Sequence, residues 1–259
     1  MVKQIESLGR GLRVLSILET GGAYSLSELA HRTGLPKSTL LRMLETLRTE
    51  GFARKRRTDG HWQAGLSRFN GSDPQSDILA ETVAPVLDAL CAQIAWPSDV
   101  GVYDKGGIRV LESSRRLSPF MVNRDVLARH VHVLPSAMGR AILAWSSPAR
   151  QEEIIADLAR TNALPESLSH DRAGVRALIA ETRARGYATR QHGYFVTAPS
   201  EAKVMAMALP VFAFGEPIAA INVVWIGTAM SEDDFARIHL PRLRDAAEIV
   251  TKQMGDGRS

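Results

Sequence analysis

The chain has 259 residues, 45% of them hydrophobic, with 32 Lys/Arg against 28 Asp/Glu. That length suits two domains, each able to bury a core, and the single cysteine, Cys91, excludes an internal disulfide or a cysteine-built zinc site. Charge is unevenly spread: residues 1–70 hold 12 Lys/Arg and 6 Asp/Glu, a net of +6, while the remainder holds 20 and 22, a net of −2. A basic head on a near-neutral body is the pattern of a head that meets a polyanion. The N-terminus, MVKQIESLGRGLRVLS, has neither a long apolar core nor a cleavage site, and no apolar run reaches the length of a membrane span. The expectation is a soluble, cytoplasmic protein without membrane contact.

Leu8, Leu12, Leu15 and Leu18 recur at helical spacing and predict a first amphipathic helix, ended by Gly21-Gly22. Ser25 or Ser27 can cap a second helix, which Gly34 breaks. Pro36 suits the first turn of a third, which runs to Glu50 and stops at Gly51. Phe52 and Ala53 then start a strand, Asp59-Gly60 is a two-residue hairpin signal, and Trp62 and Ala64 return on a second strand. The hairpin presents Arg54, Lys55, Arg56 and Arg57 on or near its tip. Three helices followed by a basic hairpin is the order of a winged helix, here residues 1–70.

The polar, broken stretch SRFNGSDPQSD marks a linker, and an amphipathic helix from Ser76 to Ile94 completes a connecting segment, 71–94. Pro85 inside it predicts a kink or two shorter helices. From 95 to 259 strands and helices interleave. Two strands flank Lys105-Gly106-Gly107, and HVHVLP is a short strand. SAMGRAILAW begins a helix that RQEEIIADLA continues. DRAGVRALIAETRARG is a helix ended by Gly186, and AMALPVF and PIAAINVVWI are buried strands around a Phe-Gly-Glu turn. The last helical stretch is expected to break at Pro241. The interleaving predicts an α/β second domain on one sheet, and an α+β chain as a whole.

The first domain bears on function. In a helix-turn-helix the turn needs a residue that tolerates positive φ, and Gly34 sits four residues after the small Ala30. Leu29, Leu35, Leu40 and Met43 fall on the inner faces. Lys37, Ser38, Thr39 and Arg42 fall outward at the start of the third helix, where side chains reach bases and phosphates. Ser38, Thr39 and Arg42 are candidates for the groove floor and Lys37 for a phosphate. Arg54, Lys55, Arg56 and Arg57 would track the backbone or enter the minor groove, and Arg10 and Arg13 would touch flanking phosphates. The alternative is a packed α-hairpin with a charged solvent face; the basic hairpin and the local charge excess favour double-stranded DNA.

Catalytic signals are weak by comparison. His130 and His132 would share one face of a strand, a spacing that can bind metal, but no acidic or cysteine partner lies at ligand spacing. Cys91 falls on an apolar-patterned helix and reads as core. No phosphate loop, dinucleotide fingerprint or nucleophile elbow occurs. Asp99, Glu112 and His192 could be acid–base groups, but nothing pairs them. The reading is not an enzyme, with no cofactor and no metal; an enzyme or metal-binding protein with a helix-turn-helix module is the remote alternative.

The chain resembles the IclR family of bacterial transcription regulators over nearly its whole length. The resemblance is carried by SLGRGLRVLSIL, YSLSELAHRTGLPKSTLLRMLETLRTEGFARK, LPSAMGRAILAW, RARGYATR, AMALPVF and PIAAINVV, in that order and spacing. WPSDV and TAMSEDDFARIHLP look most like activators of aromatic-acid catabolism, of the 3-(3-hydroxyphenyl)propionate type. The resemblance implies a winged helix-turn-helix, a linker helix and a GAF-like effector-binding domain. It also implies a homodimer or homotetramer on a pseudo-palindromic promoter site, a small organic acid as effector, and RNA polymerase as partner if the protein activates. Repression in answer to another small acid is the alternative. The implied effector site lies around the backbone of Ser136, Ala137 and Met138, with walls from Leu117, Phe120 and Met121 and from Ala206, Asn222 and Val224. Many members have a cysteine where Ala206 stands and serines where Asn222 and Val224 stand. These departures favour a larger, partly apolar acid over a short keto acid.

Overall fold

The computed structural model describes residues 5–19, 23–56, 60–65, 74–120, 130–160, 172–194 and 203–255. These fall into two compact units, divided along the chain between Glu81 and Thr82.

The first unit opens with helices α1 (Glu6–Glu19), α2 (Leu26–Thr33) and α3 (Lys37–Thr49). Ser25 caps α2: its hydroxyl accepts from Glu28 N–H at 3.1 Å, and the Glu28 carboxylate accepts from Ser25 N–H at 2.7 Å. Such a reciprocal box satisfies two otherwise orphaned donors. Gly34 ends α2 in the left-handed region at φ 69°, where a side chain would be strained. The chain thus turns sharply enough for α2 and α3 to share a core of Leu29, Leu40 and Leu44, with Val14 and Leu18 from α1 and Trp62. Leu35 and Met43 pack against it half-buried.

Strands β1 (Ala53–Lys55) and β2 (Trp62–Ala64) form an antiparallel hairpin, Ala53 opposite Ala64 and Lys55 opposite Trp62. Tyr24 adds a bridge the sequence did not suggest, exchanging two 2.7 Å backbone bonds with Trp62. This ties the hairpin to the turn between α1 and α2. The glycine pair at 21–22 and Asp59 lie outside the described residues.

Helix α4 (Pro74–Ile94) crosses from the first unit into the second. It is one uninterrupted helix, not the broken one expected at Pro85. The proline forfeits one backbone bond, but Ala80, Val83, Ala84, Leu87 and Leu90 bury one face on both sides of it. The second unit continues with β3 (Ser98–Asp104), β4 (Gly107–Ser113), β5 (His130–His132), α5 (Ala137–Trp145), α6 (Pro148–Arg160), α7 (Arg172–Arg185), β6 (Ala188–Thr189), β7 (Val204–Ala213), β8 (Glu216–Ile226) and α8 (Glu232–Gly255).

Helices α5 and α6 are separate, parted at Ser146, whose hydroxyl donates back to Ile142 C=O. Helix α8 likewise runs through Pro241, held by buried Phe235, Leu243, Ala246, Ala247 and Val250. The six strands lie in the order β5-β4-β3-β8-β7-β6, antiparallel throughout.

Alternation along β8 divides the two faces of this sheet. Trp225 stacks on Phe235 of α8, at 3.9 Å between centroids. Asn222 and Ala220 point the other way, toward α5: Gly101, opposite Ala220, has the Met138 sulfur 3.1 Å from where a Cβ would stand. The sheet curls until its ends approach, and His132 N–H donates to the hydroxyl of Tyr194, five residues past the end of β6, at 3.0 Å.

Candidate DNA-binding face and effector site

Helix α3 presents Lys37, Ser38, Leu41 and Arg42 to solvent. Thr39 is half-buried and, with Arg42, borders a groove between α1 and α3. Leu41, which the sequence reading assigned to neither face, is 39% exposed and stands among the outward polar groups. Arg10 and Arg13 are exposed on α1, and Arg10 pairs with Glu6 at 3.0 Å.

The hairpin departs further from expectation. Lys55 is exposed, its ammonium 5.6 Å from the Trp62 ring centroid. Arg56 is only 7% exposed and does not project from the tip. It closes the turn, bonding His61 C=O through its N–H and Gly60 N–H through its carbonyl, and its stem folds inward. Arg54 lies against Gln63, whose amide oxygen, turned toward it, accepts from Nε at 2.7 Å. Arg57 lies outside the described residues.

The groove beside α3 has a volume of about 970 Å³ and is lined by Leu8, Leu12, Leu15, Met43, Leu47 and Phe52. Leu8 and Leu12, part of the apolar repeat that predicts α1, are exposed.

In the second unit the N-terminal turn of α5 sits across the sheet. Met138 rests over Gly101 of β3, and Pro135 C=O accepts from Gln191 N–H at 2.9 Å, so β8 and β7 lie between these anchors. Gly139 permits the approach: a Cβ there would stand 2.2 Å from Val133 O. Ser136 caps the helix by accepting from Gly139 N–H at 3.0 Å. The N–H groups of Ala137 and Met138, both buried, find no acceptor among the described residues.

Asn222, only 5% exposed, accepts from Asp99 N–H through Oδ1 at 2.9 Å. That bond fixes the amide orientation and leaves Nδ2, a donor, with no acceptor among the described residues. Ala206 lies opposite Val224, and Ala208 opposite Asn222, on the same face. The open N–H groups of a helix N-terminus over a small-residue apolar floor suit an anion.

Asp99 does not serve as an acid–base group. Arg115 binds it through Nε at 2.9 Å and Nη2 at 2.8 Å, and the Ser113 hydroxyl donates to Oδ1 at 2.7 Å. Phe120 stacks on Trp96 at 4.0 Å, and Trp96 meets Phe235 edge-on, so Phe120 belongs to an aromatic ladder running to α8. Leu117 is 58% exposed, and Met121 lies outside the described residues. The two histidines of β5 take different partners: His130 Nε2 lies 3.2 Å from Asp104, and His132 Nδ1 lies 3.2 Å from the Tyr194 hydroxyl.

Comparison with known proteins places these features. Residues 7–57 match the IclR helix-turn-helix domain, and residues 75–252 match the bacterial transcriptional regulator IclR C-terminal domain. The Transcriptional repressor IclR of Escherichia coli is 27% identical over 95% of this chain and 89% of its own length. The Acetate operon repressor of Salmonella typhimurium is 30% identical over 71% of this chain and 68% of its own. The crystal structure of an IclR homolog from Microbacterium hydrocarbonoxydans, complexed with 4-hydroxybenzoate, shares the fold. It has a TM-score of 0.53 at 23% identity and covers 96% of this chain and 98% of that one. The chain belongs to the IclR family of bacterial transcriptional regulators: it is a DNA-binding regulator of transcription, not an enzyme.

Proposed function

We propose that this regulator senses an aromatic carboxylic acid at the N-terminus of α5 and activates an operon for aromatic-acid catabolism. The observation that carries the sensing half is the pair of N–H groups at the start of α5, those of the buried Ala137 and Met138, which find no acceptor among the described residues, beside the Asn222 amide on a floor of Ala206, Ala208 and Val224. A carboxylate satisfies such donors, and the apolar floor suits an aromatic body. The 4-hydroxybenzoate bound by the Microbacterium homolog supports the same ligand class. Activation is the reading suggested by WPSDV and TAMSEDDFARIHLP; repression is favoured by the names of the two bacterial relatives.

On DNA, Lys37, Ser38, Leu41 and Arg42 are the groove-facing set and Lys55 the hairpin's phosphate contact, with Arg10 and Arg13 flanking. Leu41 offers an apolar surface of the kind that meets a thymine methyl. Residues 71–94 act as linker, and the groove lined by Leu8 and Leu12 is where a second copy docks to make the dimer a pseudo-palindrome requires. The test is a reporter fused to the upstream region of the operon, with and without benzoates and phenylpropionates. Induction that needs both the acid and the regulator supports activation; higher expression when the gene is deleted shows a repressor.

A further inference from the structure

We infer that α8 is a self-association surface, on which a second copy of this chain lays its own α8 antiparallel about a two-fold axis. The inference rests on neither the effector site nor the groove beside α1, since α8 lies wholly within the second unit.

Helix α8 buries one side through Phe235, Leu243, Ala246, Ala247 and Val250. Away from that side it carries two isoleucines, Ile238 and Ile249, which are 45% and 47% exposed. They are eleven residues apart. That is three helical turns, so they share a face, about 16 Å apart along the axis. Arg242 and Asp245 lie on the same stripe between them, both exposed, each one turn in from an isoleucine. Steps of four, three and four residues are the seam spacing by which one helix packs along another.

This stripe is complementary to itself. With a second α8 laid antiparallel, the two-fold passing between Leu243 and Arg244, Ile238 meets Ile249 and Arg242 meets Asp245, each twice by symmetry. The flank obeys the same rule: Lys252 comes level with Asp234, and Arg237 falls near Glu248, all four exposed. Opposite signs meet at every one of these positions, which is what selects the antiparallel register and a second copy as the occupant. Within one chain these charges pair along their own helix, Arg237 with Asp234 at 2.8 Å and Arg242 with Asp245 at 3.8 Å. Exposed pairs of this kind are weakly held, so a second helix can share them at little cost. Antiparallel packing also sets the two helix dipoles head to tail. Two helices meeting over three turns bury less than the roughly 1,200 Å² of a stable interface, so the pairing is reversible and depends on protein concentration.

The test is sedimentation equilibrium of the full chain from about 1 to 100 μM, with folding checked by circular dichroism. Wild type should associate at least about tenfold more tightly than Ile238→Glu with Ile249→Glu. Arg242→Asp and Asp245→Arg each set like charges opposite one another and should weaken association by about tenfold, and the double reversal should return it to within about threefold of wild type. The two-fold also fixes the register. Ile238→Cys with Ile249→Cys in one chain should cross-link two copies under mild oxidation, whereas either change alone leaves its thiols about 16 Å apart and should not. The native Cys91 is buried and does not compete. Equal association of wild type and the double isoleucine variant overturns the pairing. So does a double reversal no better than the single changes, or cross-linking by a single cysteine as strong as by the two together. Loss of the transcriptional response in Ile238→Glu with Ile249→Glu, with association unchanged, assigns the face to a different protein and overturns the pairing as well.

Discussion

Asp99 and Arg115 are 1% and 6% exposed, and their two-pronged contact fastens the loop after β4 to the start of β3. Removing one member of a buried ion pair strands the other charge. Asp99→Ala should cost about 3 kcal/mol in urea unfolding, well beyond an exposed pair such as Arg150–Glu153. Ser25→Ala, which deletes the cap of α2, should cost about 1 kcal/mol by the same measurement. The two residues show what a sequence makes visible. Ser25 and Glu28 are three apart, and their box can be read directly from the string. Asp99 and Asn222 are 123 positions apart and become neighbours only because β3 pairs with β8.

At the scale of elements, helix periodicity located α1 to α3, and continuous apolar runs located the buried strands, because apolar spacing reports which side faces a core. It failed where local geometry overrode the pattern. Arg56, expected at the hairpin tip, turns inward because it closes the hairpin. Pro85 and Pro241 left their helices whole because packing outweighs one missing backbone bond. The groove beside α1 makes its own prediction: Leu8→Glu with Leu12→Glu should shift the protein from dimer to monomer in sedimentation, with the circular dichroism of the fold retained.

Helix α8 carries a pH-sensitive group. Burial against Phe235, whose ring lies 4.5 Å away, holds His239 below the ordinary value of 6.5. The folded state therefore favours the neutral ring. Its contribution to stability is present above pH 6.5 and is lost as pH falls below that value. His239→Gln should lose less stability than wild type between about pH 7.5 and 5.5, measured by urea unfolding.

For the whole molecule, the charge division is a functional statement: +6 over residues 1–70 and −2 over the rest put the polyanion-binding capacity in the helix-turn-helix unit. Phosphate contacts release counterions, so Lys37→Ala should weaken DNA binding for all sequences and reduce the salt slope by about 1. Arg42→Ala should also relax sequence preference, by about 1–3 kcal/mol of discrimination. The central claim joins this unit to the α5 site: an aromatic acid bound there changes how the protein holds DNA, which requires different affinities of the acid for two states. The most direct measurement is fluorescence anisotropy of an operator duplex selected from a random pool, titrated with full-length protein at two salt concentrations, with and without 4-hydroxybenzoate or 3-phenylpropionate. The account predicts salt-sensitive, sequence-specific binding whose affinity changes several-fold with one of these acids, and no such change in Ala206→Trp. Specific binding that is indifferent to every aromatic acid offered, or an equal response in Ala206→Trp, would contradict it.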